Sequence, residues 1–138
     1  MFVLLAGIML GGAYGSLSVL IYVIAGIAGL PVFAGAAGGF ARILGPTGGY
    51  IIGFLLAPFV VSSIERKLKQ RTLLLYLAMF AGLFVIYAFG MLHLSIFLKN
   101  NILAAFRLGV LPFIMGDIVK IIFAVFFIQS VRRRFGIS

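Results

Sequence analysis

The two residues best suited to chemistry are Asp117 and Lys120, the only charged residues in an apolar stretch at about 108–128. A charge near the centre of a lipid bilayer costs roughly 3 kcal/mol or more, so such side chains usually face a bundle interior, a partner or a water-filled cavity. Side chains three residues apart lie on one face of a helix. We therefore interpret the pair as the floor of a binding site. In the alternative interpretation, the two residues only neutralise each other as a packing pair.

The elements that position this pair must be membrane helices. The chain has 138 residues, of which 64% are hydrophobic and 9% charged, and its mean hydropathy is +1.32. Several apolar runs approach or exceed the roughly 20 residues with which a helix crosses the hydrocarbon core. Barrel strands would instead be alternating segments of about 10 residues. The composition predicts an all-α integral membrane protein in which residues 1–138 form a single transmembrane domain. The charged pair makes it a predicted substrate-binding domain.

Five apolar runs predict a bundle of about five transmembrane helices. They cover residues 2–10, 17–30, 50–64 and 73–94, and a fifth run begins near residue 108 and ends at the arginines 132–134. Four segments separate these runs: a glycine-rich break, a loop at 31–49 that is rich in Gly and Ala, a basic segment at 65–71 and a polar link at 99–107. The first run is shorter than a bilayer, so we expect that this chain lacks an N-terminal segment carrying another helix.

The basic residues predict the orientation. The net charge is +9, but it is divided among short segments without the continuous basic face that nucleic-acid binding requires. Four basic residues lie in segment 65–71 and three at 132–134, separated by two helices. Since short cytoplasmic loops are enriched in Lys and Arg, we predict a multi-pass plasma-membrane protein. Its C-terminus is expected in the cytoplasm, and the loop 31–49 on the extracellular side.

Catalysis and cofactor binding find little support in the sequence. Its two carboxylates, Glu65 and Asp117, are predicted to lie at different depths, which argues against a paired acid and base. One histidine and no cysteine argue against a metal site. The segment GPTGG at 45–49 lacks the Gly-Lys-Ser/Thr ending of a phosphate-binding loop. We predict a protein that is not an enzyme and has no cofactor.

The loop 31–49 and the neighbouring aromatic residues are candidates for contacting a ligand. The helix predicted to begin near Pro46, next to Thr47, presents free amide hydrogens, which suit a ligand carboxylate. Arg42 would reinforce this site, or else contact a lipid headgroup. Gly39 is expected to supply an unusual backbone angle or let the loop close over a ligand. Three aromatic residues are expected to line the pocket, with core packing as the alternative for each: Tyr22, Phe33 and Tyr50.

Small residues at intervals of four indicate close helix packing. Gly49, Gly53 and Ala57 form one such series, and Gly7, Gly11 and Gly15 form another. This spacing lets membrane helices approach closely. We interpret most of these glycines as packing positions.

Four segments together resemble the signature of a known family. They read GLPVFAG at 29–35, GG at 38–39, GPTGGYIIGF at 45–54 and LPFIMGDIVK at 111–120. In this order they resemble the BioY family, the substrate-binding S components of energy-coupling-factor (ECF) biotin transporters, over nearly the whole chain. The resemblance implies six helices with both termini cytoplasmic, so that this sequence would begin at the second helix. It also implies high-affinity biotin capture from the outer side, with a transmembrane coupling protein (the T component) and two ATPase subunits as partners.

Biotin gives the charged pair a specific chemistry. An ionised Asp117 would accept the ureido N–H hydrogens, and Lys120 would donate to the ureido oxygen.

Two other functions stay open on the sequence. The chain would be a self-contained transporter if Asp117 were a proton-coupling carboxylate with Lys120 as its counter-charge. It would otherwise be a structural membrane subunit that transports nothing.

Overall fold

The computed structural model describes residues 2–32, 39, 41–67 and 72–135, except the side chains of residues 41, 42, 67 and 135. Over these ranges the chain is helical and contains no strand, which confirms the all-α prediction. Three helices, α4, α5 and α7, are long and apolar enough to cross a membrane, and α2 is a shorter apolar helix. The seven helices in the described ranges are α1 (Phe2–Met9), α2 (Gly12–Ile27), α3 (Ala41–Leu44), α4 (Gly48–Lys67), α5 (Thr72–Phe97), α6 (Ile102–Gly109) and α7 (Leu111–Phe135).

The five predicted runs correspond to α1, α2, α4, α5 and α7, but the expected polar link at 99–107 is wrong. Most of that segment forms the short helix α6. Asn101 caps it, because the Asn101 side-chain oxygen accepts a hydrogen bond from the Ala104 amide at 2.9 Å. Such a cap satisfies a backbone donor that the first helical turn leaves free. The loop 31–49 likewise contains a one-turn helix, α3.

The glycine-rich break before α2 is also shorter than predicted. The helix begins at Gly12 rather than near Leu17, so that Gly12 and Gly15 lie inside it. Gly11 alone adopts a positive φ of 84° between α1 and α2. A Cβ added at Gly15 would lie 3.0 Å from Pro58 Cβ, so the absence of a side chain permits α2 to lie against α4.

The closest packing in the bundle is between α4 and α5. A Cβ added at Gly53 would lie 2.7 Å from Ile86 Cα, and one added at Gly49 would overlap the Phe89 carbonyl. Ala57, the next residue in this series, is completely buried. These contacts confirm the packing role predicted for the small residues. Because α4 also contacts α1, α2 and α3, it is the helix around which the others are arranged.

Pro58 lies inside α4, where α1 and α2 pack against this helix. Proline lacks a backbone N–H and therefore removes one helical hydrogen bond. Near this interruption, Ser16 Oγ of α2 donates to the Leu55 carbonyl at 2.6 Å. A Cβ added at Gly7 of α1 would lie 2.8 Å from Pro58 Cα. The segment of α4 around Pro58 is thus contacted by the Ser16 hydroxyl and by α1 and α2, which approach it closely at Gly7 and Gly15. Neighbouring helices and serine side chains commonly support proline in membrane helices.

Polar contacts join the ends of three helices at what we call the basic end of the bundle. Arg132 Nη2 of α7 lies 2.6 Å from Glu65 Oε1 of α4, and Gln129 donates to Thr72 Oγ1 of α5 at 2.7 Å. Arg132 is followed by two more arginines in the last turn of α7. At the opposite end, His93 Nε2 of α5 lies 3.1 Å from the Gly45 carbonyl before α4. This contact joins α5 to the segment that precedes α4.

We predict that Gly53→Ala destabilises the fold because its new methyl group would meet the backbone of α5. Overpacking of this kind costs about 1–3 kcal/mol. The matched control is Gly116→Ala on α7, where an added Cβ meets nothing within 4 Å. Thermal unfolding of both variants in detergent should lower the midpoint for Gly53→Ala only. Equal midpoints for the two variants would contradict the packing described for α4 and α5.

Candidate binding cavity

A cavity of about 560 Å³ lies between helices α2, α4, α5, α6 and α7, at the end of the bundle opposite Arg132. Its volume falls within the range of roughly 300–1,000 Å³ that is usual for small-molecule sites. Most of its wall is apolar, and few polar groups face it. Its lining residues are Tyr22, Pro46, Thr47, Tyr50, Ile51, Phe54, Leu83, Ile86, Tyr87, Leu94, Leu108, Gly109, Phe113 and Asp117.

The charged group of this cavity is the Asp117 carboxylate, in the second turn of α7. Its Oδ2 accepts a hydrogen bond from Tyr87 Oη of α5 at 2.5 Å. Its Oδ1 lies 3.2 Å from Lys120 Nζ, one turn further along α7. The Asp117 side chain is 20% exposed. Both carboxylate oxygens therefore receive a donor from the protein, and one of these donors comes from another helix.

The two donors differ in strength. The Lys120 side chain is 58% exposed, and exposed ion pairs contribute roughly 0.2–1 kcal/mol. Lys120 does not belong to the cavity lining and meets it only through Asp117. A hydrogen bond to a charged group contributes about 1.5–3 kcal/mol when it is well formed. Tyr87 is partly buried and packs against the main core cluster, so its hydroxyl is the more firmly held of the two donors.

Tyr50 of α4 forms another part of the wall and connects three helices. Its hydroxyl donates to the Gly109 carbonyl at the end of α6 at 2.8 Å. A Cβ added at Gly90 of α5 or at Gly109 would overlap the Tyr50 side chain. The ring therefore occupies space that two glycines leave open, and its hydroxyl is committed to the backbone of α6.

Two other predicted residues also reach the cavity. Tyr22 of α2 lines it and donates through its hydroxyl to the Val32 carbonyl at 2.6 Å. Thr47 lies directly before α4, and its carbonyl accepts hydrogen bonds from the Tyr50 and Ile51 amides. The N-terminus of α4 thus borders the cavity.

The remaining predicted residues lie elsewhere or outside the described residues. Gly39 has a positive φ of 104°, as expected for an unusual backbone angle, and its amide donates to the Gly26 carbonyl at 2.7 Å. It is not part of the cavity lining. Phe33 lies outside the described residues, and so does the side chain of Arg42 in α3.

Tyr87, the partner of Asp117, is not among the residues predicted from the sequence. It is one of five tyrosines and has no polar neighbour along the chain, so no motif includes it. One signal was available, because a hydroxyl within a membrane span usually has a hydrogen-bond partner. The lone aspartate of the chain was the strongest candidate for that partner.

Membrane-spanning helices around an apolar cavity with one anchored carboxylate define a multi-pass membrane protein that binds a small molecule. Residues 1–137 match the sequence profile of the BioY family. The chain belongs to this family.

Relatives and a solved structure agree with this assignment. The chain is 49% identical to the "Probable biotin transporter BioY" of Pyrococcus horikoshii, covering 95% of this chain and 76% of that protein. It is 42% identical to the "Biotin transporter BioY" of Thermotoga maritima, covering 89% and 72%. A crystal structure described as the S-component for biotin from an ECF-type ABC transporter superposes with a TM-score of 0.86 at 32% identity, covering 95% of this chain and 71% of that one.

We predict that Tyr50→Phe loosens the attachment of α6 to α4. The variant removes the donor to the Gly109 carbonyl, and a lost hydrogen bond of this kind costs about 1 kcal/mol. Hydrogen exchange measured by mass spectrometry should become faster over residues 102–109. The control is Tyr14→Phe, since the Tyr14 side chain is 71% exposed on α2. Unchanged exchange in Tyr50→Phe would show that this hydrogen bond does not hold α6.

Proposed function

We propose that this protein captures biotin and serves in its uptake as the substrate-binding S component of an ECF-type ABC transporter. The observation that carries the proposal is the Asp117 carboxylate, held by donors on two helices at the wall of a 560 Å³ cavity. The names of the relatives and the description of the solved structure support biotin as the ligand.

The chemistry of biotin suits the distribution of polar groups around the cavity. Its neutral ureido ring offers N–H donors, and an ionised Asp117 accepts them. Its valeryl chain is apolar and matches a wall formed by residues such as Phe54, Leu83 and Phe113. Its carboxylate is suited to the N-terminus of α4 beside Thr47, where amide hydrogens and the helix dipole favour an anion. In this arrangement Arg42 would add a positive charge near the same group.

Lys120 has a different place in the proposal from Asp117. Its ammonium lies 3.2 Å from Asp117 Oδ1 and outside the cavity lining. A lysine side chain has a flexible four-carbon stem and three donors. A small rotation would let the ammonium donate to the ureido oxygen while it continues to offset the charge of Asp117.

The proposal includes an orientation and a set of partners. The arginines at the end of α7 lie at the same end of the bundle as the end of α4, which suits a cytoplasmic face. The cavity and the loop 31–49 would then face outward, where biotin arrives. Since no catalytic group is assigned, we propose a binding subunit that is not an enzyme. A T component and two ATPase subunits would supply the energy for uptake.

We predict that Asp117→Asn and Lys120→Ala each weaken biotin binding by the purified protein. Truncating a largely buried, hydrogen-bonded charge costs about 2 kcal/mol or more, so Asp117→Asn should lose roughly thirtyfold in affinity. The Lys120 side chain is mostly exposed, and an exposed ion pair contributes about 0.2–1 kcal/mol, so Lys120→Ala should lose less, up to about fivefold. Isothermal titration calorimetry in detergent measures these losses. Arg133→Ala is the matched control, because it removes one positive charge from an exposed position at the basic end. A folded Asp117→Asn protein with unchanged biotin affinity would refute the proposed site.

The energy source is tested by uptake of labelled biotin into cells that express this chain. We expect uptake to require the T component and the ATPase subunits and to stop when the ATPases are inactivated. Uptake that continues without the ATPases but is abolished by an uncoupler would favour a self-contained proton-coupled transporter. Absence of any saturable ligand would favour a structural subunit.

A further inference from the structure

We infer that Tyr87 is the positioning residue for the ligand-binding carboxylate: it fixes the orientation of Asp117, and it thereby determines how strongly the site selects for ligand N–H groups. This inference rests on the proposed function, because it concerns the same cavity. Neither the family signature nor the predicted site includes Tyr87.

The hydroxyl of Tyr87 is held by the core of the bundle. Its ring packs against the cluster of buried residues that includes Ile86 and Met79 on the same helix. A tyrosine side chain rotates about two bonds only, so packing of the ring leaves little freedom to the hydroxyl. The oxygen therefore reaches Asp117 Oδ2, at 2.5 Å, from a rigid support.

Lys120 does not provide the same restraint. It lies on the same helix as Asp117, and its side chain is mostly exposed. A donor on α7 moves together with α7, so it does not fix Asp117 relative to the other walls of the cavity. Tyr87 lies on α5, so its hydrogen bond fixes Asp117 relative to that wall of the cavity. The hydrogen bond between Tyr87 and Asp117 thus sets the distance between two walls that both face the ligand.

The arrangement also determines what the site accepts. The Tyr87 hydroxyl hydrogen is committed to Asp117, which leaves the phenolic oxygen with acceptor capacity only. The ionised Asp117 is likewise an acceptor. Two adjacent acceptors on the cavity wall favour a ligand that presents N–H groups. A site built in this way rejects analogues that lack such a donor, because its buried polar groups are then left unpaired.

The chain allows the hydrogen bonding of the Asp117 carboxylate to be followed separately, since Asp117 is its only aspartate. Protein grown with carboxyl-¹³C-labelled aspartate therefore gives one isotope-shifted carboxyl signal in the infrared. We expect Tyr87→Phe to move this band, because the variant removes only the hydroxyl that donates to Oδ2. Tyr76→Phe is the matched control. Tyr76 lies on the same helix and packs against the same cluster, but it does not line the cavity.

Binding measurements complete the test. We expect Tyr87→Phe to weaken biotin binding about tenfold and to reduce the preference for biotin over its N-methylated ureido analogue. Tyr76→Phe should change neither quantity. An unmoved infrared band, unchanged selectivity, or equal effects of the two variants would overturn the inference, since a general loss of packing would affect both tyrosines alike.

The outcome for Asp117→Asn separates this inference from the proposed function. If that variant binds biotin normally, the proposed site itself is wrong, and the role of Tyr87 fails with it. If Asp117→Asn loses binding while Tyr87→Phe keeps wild-type affinity and selectivity, the proposed site stands and only the role of Tyr87 is rejected. Should Tyr87→Phe not fold, Tyr87→His retains a ring with a donor nitrogen. This variant is expected to keep more of the selectivity than Tyr87→Leu does, and equal losses in the two would count against the inference.

Discussion

The cavity depends on the close approach of α4 to α5. In a bilayer, apolar side chains gain little by leaving lipid for each other, so helices associate through dense packing and a few polar contacts. Gly49 and Gly53 permit this packing because an added Cβ at either position would meet the backbone of α5. The two helices supply half of the cavity wall, including Tyr50 and Tyr87. Their relative position therefore fixes where both hydroxyl groups lie, and through Tyr87 it fixes the charged group of α7.

Hydrogen bonds between helices then determine side-chain positions that apolar packing alone does not fix. Three hydroxyl groups donate to partners on other helices: Ser16 on α4, Tyr50 on α6 and Tyr87 on α7. Since lipid offers no hydrogen bonds, each such group strongly prefers the arrangement in which it is paired. Two of these three contacts lie at the cavity. The apolar packing thus brings the helices together, and the hydroxyl groups specify the arrangement around the cavity.

The sequence predicted the class of the fold well, because hydropathy is a local property. It also identified Asp117, since a lone carboxylate in an apolar run is conspicuous. It did not predict α6, although Asn101 directly before an apolar segment is a readable cap; the neighbouring polar residues obscured it. Tyr87 was missed for a different reason. Its partner lies 30 residues further along the chain, so only the packing of α5 against α7 reveals the contact.

Helix geometry explains why Asp117 and Lys120 lie together near the N-terminal end of α7. In the sequence, Asp117 lies near the middle of an apolar stretch at 108–128. Because α7 runs over Leu111–Phe135, the carboxylate lies in the second turn of this helix. Helical side chains lean towards the N-terminus of their helix. Lys120 therefore points towards Asp117 rather than towards the basic end, and its ammonium lies 3.2 Å from Asp117 Oδ1. The next turns are free of charge, and Ile121, Val125 and Ile128 are buried there in the core. α7 thus has its Asp117–Lys120 pair near the N-terminal end and an apolar packing surface in the turns that follow.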